Sequence, residues 1–257
     1  MRTTRLECRL RKADVAQTLH FLQGLRLLLD VADGDRTGRP HANSGRHYYF
    51  RPRERATGKE LALTPATIVR HLRGELTIGL YAINPRTQRS KWIVIDADYE
   101  HALDDLIKLQ WELKQDGIEA ALEKSRRGGH LWIFGAAPLR ARDCRVYVYN
   151  LADRLKMAVK GGCLPEGIEV FPRHNTLKPG EFGNAIRGPL GVHRTDKKRY
   201  WFYGADYTLE AQIRYLKALR KLSEDRLRLF GRRHDDSRTV SRAHSSAEPS
   251  SRGSCTP

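Results

Sequence analysis

The 257-residue sequence predicts an α+β fold, a βαββαβ core between Lys91 and Phe171 with an N-terminal α/β module in front of it. Three observations lead there. Apolar residues in this stretch switch between strand and helix spacing. Glycine and proline stand where the spacing changes, as chain turns require. An apolar content of 40% is that of an ordinary globular chain, enough for one sizeable core or two small ones.

Taken in order, residues 13–30 place Val15, Leu19, Leu22, Leu25 and Leu29 at steps of three and four, the stripe of an amphipathic helix despite Gly24 in its interior. Residues 33–46 are rich in Gly, Asp, Asn and Pro and read as a loop before a strand at His47-Tyr-Tyr-Phe-Arg51, whose rings serve either packing or nucleic-acid contact. Thr64-Pro65 supplies an N-cap and a first-turn proline, and Gly74 a stop, so a short helix lies between them. Residues 77–83 read as a strand, and the Asn84-Pro85 turn predicts a hairpin with the strand that begins at Lys91.

Beyond Asp98, Leu103, Leu106, Ile107 and Leu113 repeat at helical spacing, with Asp104 and Asp105 near the positive N-terminal end and Gly117 as the stop. Residues 118–125 are the next strand. Arg126-Arg-Gly-Gly129 turns the chain, and His130-Leu-Trp-Ile-Phe134 returns antiparallel. Cys144, Val148, Leu151, Ala152, Leu155 and Val159 form the stripe of a second helix stopped by Gly161-Gly162, and Ile168-Glu-Val-Phe171 closes the core. This order is the ferredoxin-like arrangement of RNA-recognition modules (RRM) and several polymerase cores. Residues 173–205 are loop-rich and basic, 208–230 return to helical spacing, and from Arg232 the Ser-, Arg- and Pro-rich chain reads as disordered.

Forty-seven Lys and Arg against 30 Asp and Glu leave a net charge of +17, which points to a polyanionic partner, nucleic acid above all. The tail from 232 to 257 holds five arginines and three acids, a net +2 that leaves +15 on the rest. No apolar run reaches the ~20 residues of a membrane span, and the N-terminus lacks a signal-peptide pattern, so a cytoplasmic protein with no membrane partner is expected. Cys8, Cys144, Cys163 and Cys255 are scattered without a Cys-x-x-Cys pair, which argues against both a disulfide framework and a cysteine zinc site.

The chemistry gathers at Lys91-Trp-Ile-Val-Ile-Asp-Ala-Asp98. On a strand, Asp96 and Asp98 project to one face while Ile95 and Ala97 face the other. Carboxylates held that close repel, and a divalent cation such as Mg²⁺ or Mn²⁺ relieves them; the alternative is a solvated turn or helix start. Taken singly, His130 reads as a satisfied strand histidine and Glu169 as a solvent-facing charge.

Together with Ser125 these residues resemble the motifs of the archaeo-eukaryotic primase superfamily: an Asp-x-Asp strand, a Ser-x-His-type hairpin and a distal acid in an apolar strand. The resemblance is greatest to the primase domains of TOTE conflict systems. It spans roughly residues 45–203, through Gly74-Glu-Leu-Thr-Ile-Gly-Leu-Tyr81, Ile93-Val-Ile-Asp-Ala-Asp98, Ser125-Arg-Arg-Gly-Gly-His-Leu-Trp132, Glu169-Val-Phe-Pro172 and Gly188-Pro-Leu-Gly-Val-His193. It implies the archaeo-eukaryotic primase fold, with the third-acid strand on one side of the Asp-x-Asp strand and the histidine strand on the other. It also implies a DNA primase or primase-polymerase in which Asp96, Asp98 and Glu169 hold two Mg²⁺ or Mn²⁺ ions. Glu169 departs from the Asp usual across the superfamily, although Glu suits the TOTE-like branch. By the same resemblance His130 contacts the incoming nucleotide's phosphate, and Ser125 is its hairpin partner. Arg126, Arg187, His193 and Arg194 are candidates for nucleotide or template, as are Arg127 and Lys178, while Asn184 competes between that role and a turn.

The domains expected are an N-terminal α/β module at 1–90, the primase-like catalytic core at 91–206, a C-terminal helix at 207–231 and the tail at 232–257. The partners expected are a single-stranded DNA template, an NTP or dNTP, and a helicase or nuclease working alongside. Two other classes compete. An RRM-like single-stranded nucleic-acid binder stacks bases on sheet aromatics, whereas two acids here would repel a phosphate chain. A metal-dependent nuclease or replication initiator would use the same carboxylates to activate water, but neither a His-x-His pair nor a Walker phosphate loop is present.

Overall fold

A computed structural model describes residues 64–232, apart from 162–163, 180, 182 and 194–195, together with the turn at 56–57. The helix expected at 13–30, the loop at 33–46, the strand at 47–51 and the tail after 232 lie outside the described residues, as does Arg194. Among the described residues, five helices and six strands follow one another: α1 (Pro65–Arg73), β1 (Gly79–Tyr81), β2 (Arg89–Ala97), α2 (Ala102–Gln115), β3 (Ala121–Lys124), β4 (Gly129–Arg140), α3 (Ala141–Arg154), β5 (Glu169–Phe171), β6 (Ala185–Arg187), α4 (Leu209–Ala218) and α5 (Glu224–Arg232). None of the described helices is long and apolar enough to cross a membrane.

The core strands form an antiparallel sheet in the order β3-β4-β2-β5, so the Asp-x-Asp strand lies between the histidine strand and the third-acid strand, as expected. Alternation along β2 sends Ile93, Ile95 and Ala97 to one face, where they pack with Leu106, Leu109 and Leu113 of α2 and with Cys144, Val148 and Leu151 of α3. Trp92 and Val94 point the other way. They join a second core with Trp132, Phe134 and Phe171, covered by Ile68 and Leu72 of α1, Leu80 of β1, Ile186 of β6 and Ile213 of α4. With both faces covered, β2 reads as a continuous apolar run.

Helix α1 starts where Thr64 Oγ1 accepts from Thr67 N at 3.2 Å and ends where Gly74 takes the left-handed conformation. Its His71 is buried, with Nδ1 accepting from Ile78 N and Nε2 donating to Pro189 O, both at 3.2 Å. A Cβ at Gly191 would lie 2.0 Å from the His71 ring. That close approach accounts for the second glycine of Gly188-Pro-Leu-Gly191.

Four expectations are corrected. Strand β1 makes no hairpin ladder with β2; it pairs with β6 in a separate two-stranded ribbon, and only the Asn84–Arg89 bridge remains of the predicted pairing. The helix through Cys144 ends at Arg154 rather than at Gly161, because Lys156 turns left-handed and residues 158–160 run beside Ile168. Residues 208–230 are two helices, divided where Leu222 bonds to Phe134 and Ala136 at the β4 edge. On α2 the buried stripe is Ala102, Leu106, Leu109 and Leu113, and Ile107 is exposed.

Candidate active site

Antiparallel register lines up one polar residue from each strand of the four-stranded sheet. Glu123 on β3 faces His130 on β4, His130 faces Asp96 on β2, and Asp96 faces Glu169 on β5. Directly opposed residues share a face. The next row on that face is Ala121, Trp132, Val94 and Phe171, all buried, so a charged row terminates an apolar surface.

Each acid in the row has a basic side chain beside it. His130 stands between Glu123 and Asp96, its Nδ1 2.9 Å from Glu123 Oε2 and its Nε2 3.5 Å from Asp96 Oδ1. Glu169 meets Lys160 Nζ at 2.6 Å and Arg173 Nη1 at 3.0 Å. Lys160 reaches it because residues 158–160 bond to Ile168 beside β5. At the far end Glu123, fully buried, receives Arg187 Nη2 of β6 at 2.9 Å. Burial pushes the Glu123 carboxyl up, and Arg187 and His130 more than offset it, so it titrates below the usual carboxylate range. Asp96 goes the other way. Burial, with smaller contributions from Asp98 and Glu169 against His130, raises it to about 6. Its Oδ1 is buried with no hydrogen-bond partner.

Asp98 lies just past β2, beside the hairpin turn. It accepts from Arg127 Nη2 at 2.5 Å and from Ser125 Oγ at 3.3 Å, while Ser125 Oγ accepts from Gly128 N at 3.1 Å. A Cβ at Gly128 would fall 2.0 Å from Ala97 O, so this turn abuts the end of β2 only with glycine there. Ser125 therefore holds Asp98 rather than His130. The three acids do not converge as a ready-made cluster: among the described residues no three His, Cys, Asp or Glu side chains gather closely enough for one metal ion.

Of the remaining candidates, Arg187 joins the row through Glu123. His193 sits on a neighbouring loop, its Nδ1 3.0 Å from Asp196 and its ring edge-on to Tyr200. Burial lowers its pKa against Asp196, with Arg187 and Arg126 acting in the same sense, which places Arg126 within electrostatic reach. Asn184 is exposed ahead of β6, and Lys178 donates its backbone N–H to Glu181. Sequence reasoning missed Glu123, Lys160 and Arg173. The available signal was an acid directly after the apolar Ala120-Ala121-Leu122 run, two residues before the Ser125 turn.

The sequence profile described as TOTE conflict system, Archaeo-Eukaryotic Primase domain matches residues 46–230. No curated protein matches the chain. Among solved structures, the polymerase domain from Mycobacterium tuberculosis Ligase D in complex with DNA is similar over 88% of this chain and 91% of its own, at 14% identity and a TM-score of 0.43. The catalytic domain of primase Repb' in complex with initiator DNA is similar over 87% of this chain and 95% of its own, at 11% identity and a TM-score of 0.37. Since the profile takes in well over half of the 257 residues, the chain belongs to the archaeo-eukaryotic primase family of TOTE conflict systems.

Proposed function

We propose that the protein is a DNA primase or primase-polymerase that joins an NTP or dNTP to a 3′-hydroxyl on a single-stranded DNA template. Family membership supports nucleotidyl transfer on DNA. The observation that carries the site is the register of Asp96 against Glu169, with a buried Asp96 oxygen that has no hydrogen bond. An orphaned carboxylate oxygen next to two further acids suits a hard divalent cation. Asp96, Asp98 and Glu169 would hold Mg²⁺ or Mn²⁺. Bound there in a pair, such ions supply Lewis-acid stabilisation of the transferring phosphoryl group and acidify the attacking hydroxyl.

The chain's own residues prepare the remainder. Arg127, Lys160 and Arg173, which hold Asp98 and Glu169, are 62%, 44% and 38% exposed, so their charge is available to the phosphates of an incoming nucleotide. His130 faces the middle of the row and contacts a phosphate oxygen, with Ser125 keeping Asp98 in place. Arg126, Arg187, His193 and Asn184 are assigned to the same nucleotide side, and Arg194, outside the described residues, is kept as a candidate on the family motif alone.

The test is incorporation of labelled nucleotide on single-stranded DNA, with and without primer, in Mg²⁺ and in Mn²⁺. Extension is expected. Asp96→Ala with Asp98→Ala should abolish it while template binding persists or strengthens, because two negative charges leave a basic face. His130→Ala should recover part of its rate at high nucleotide concentration. Polymerisation by the double variant overturns the assignment, substrate shortening indicates a nuclease, and binding without incorporation by the unmutated protein indicates a binder.

A further inference from the structure

Glu123 differs from the other acids of the row in having no contact with solvent: its side chain is 0% exposed, against 20% for Asp96 and 19% for Glu169. Three donors converge on it. Oε2 accepts from Trp132 Nε1 at 3.1 Å and lies 2.9 Å from His130 Nδ1, and Oε1 accepts from Arg187 Nη2 at 2.9 Å. An indole N–H and a guanidinium only donate, and a carboxylate ionised beside a guanidinium only accepts. The hydrogen between Glu123 and His130 therefore belongs to Nδ1, whatever the overall charge of the ring. Nε2 is then the nitrogen that faces Asp96 and the row. The edge-on contact of His130 with Trp132, at 6.5 Å and 79°, holds the ring plane.

Arg187 is not part of this sheet. It belongs to β6, which pairs only with β1 among the described strands. One buried carboxylate thus ties the histidine of the row to the ribbon packed over the sheet.

We propose that Glu123 is a positioning residue: it fixes His130 with Nδ1 as donor and Nε2 presented to the row, and through Arg187 it makes that presentation depend on the docked β1–β6 ribbon. The use made of Nε2 rests on the nucleotidyl-transfer reading, in which that nitrogen faces the incoming nucleotide. The state of the ring does not.

The experiment uses the full chain labelled with ¹⁵N-histidine, the His130 signals being identified by their loss in His130→Gln. The unmutated protein should show a protonated Nδ1. In Glu123→Leu no acceptor is left beside Nδ1, so the Nδ1–H state should be depleted. Glu123→Leu also takes from Arg187 the buried carboxylate it pairs with, so the paired variant Glu123→Leu with Arg187→Met removes both charges together. It should show the same ring change. An unprotonated Nδ1 in the unmutated protein overturns the proposal, as does an unchanged ring in the paired variant. If the unmutated protein incorporates no nucleotide, the polymerase reading fails, and the ring signals alone still decide the role of Glu123.

Discussion

At neutral pH Asp96 carries its charge where only a fifth of the side chain meets water, and burial raises its pKa from 3.8 to about 6. The unfolded chain gives up this proton first, so the penalty on the folded state grows from pH 3.8 to about 6 and is constant above. It amounts to about 3 kcal/mol at most, less after allowance for the exposed part. Asp96→Asn should therefore raise the unfolding temperature at pH 8, lose that gain as pH falls towards 4, and incorporate no nucleotide. Thermal unfolding at both pH values checks it; a lower Tm at pH 8 would mean that attraction to His130 outweighs burial. Asp96 was legible in the sequence because a spacing of two on an apolar strand fixes the face. Glu123 was not. Between Leu122 and Lys124 a single acid looks like a solvent-facing residue, and its burial is made possible by Arg187, 64 positions away.

Among the elements, α1 is fastened through His71, whose ring is buried against the Gly188–Gly191 loop. Burial, with Arg187 and Arg199 acting in the same sense, lowers its pKa from 6.5 to about 4. A histidine depressed on folding binds its proton more readily in the unfolded chain, so its contribution is present above pH 6.5 and lost as pH falls towards 4, up to about 3 kcal/mol. Denaturant unfolding at pH 7 and pH 4.5 should show a smaller loss in His71→Gln than in the unmutated protein. The comparison between the two proteins matters because Asp96 titrates in the same window with the opposite sign; equal losses would show that His71 does not govern this contact. Strand and helix types followed from periodicity, but partners did not. Residues 77–83 carry the pattern of a hairpin strand, and nothing local distinguishes β2 from β6 as the partner of β1. In 208–230 helical spacing continues across the break, which a tertiary contact of Leu222 with the β4 edge enforces.

For the molecule as a whole, residues 1–231 bear +15 of the net +17. Binding to single-stranded DNA should weaken by about tenfold or more between low and moderate salt as condensed counterions are displaced, and removal of residues 232–257 should leave most of it. Affinity unchanged by salt, or abolished by the truncation, would place the binding surface elsewhere. The fold class was legible because the whole βαββαβ order lies within one contiguous stretch of sequence. The β1–β6 ribbon has another consequence, one of timing. Its pairing of Gly79 with Arg187 closes a loop of about a hundred residues, a contact whose entropy cost falls due before any reward. A chain still under synthesis, grown only as far as Phe171, already contains Asp96, His130 and Glu169, while Glu123 has no guanidinium to neutralise it. The buried carboxylate on β3 gains its guanidinium partner only once the second strand of the ribbon has emerged.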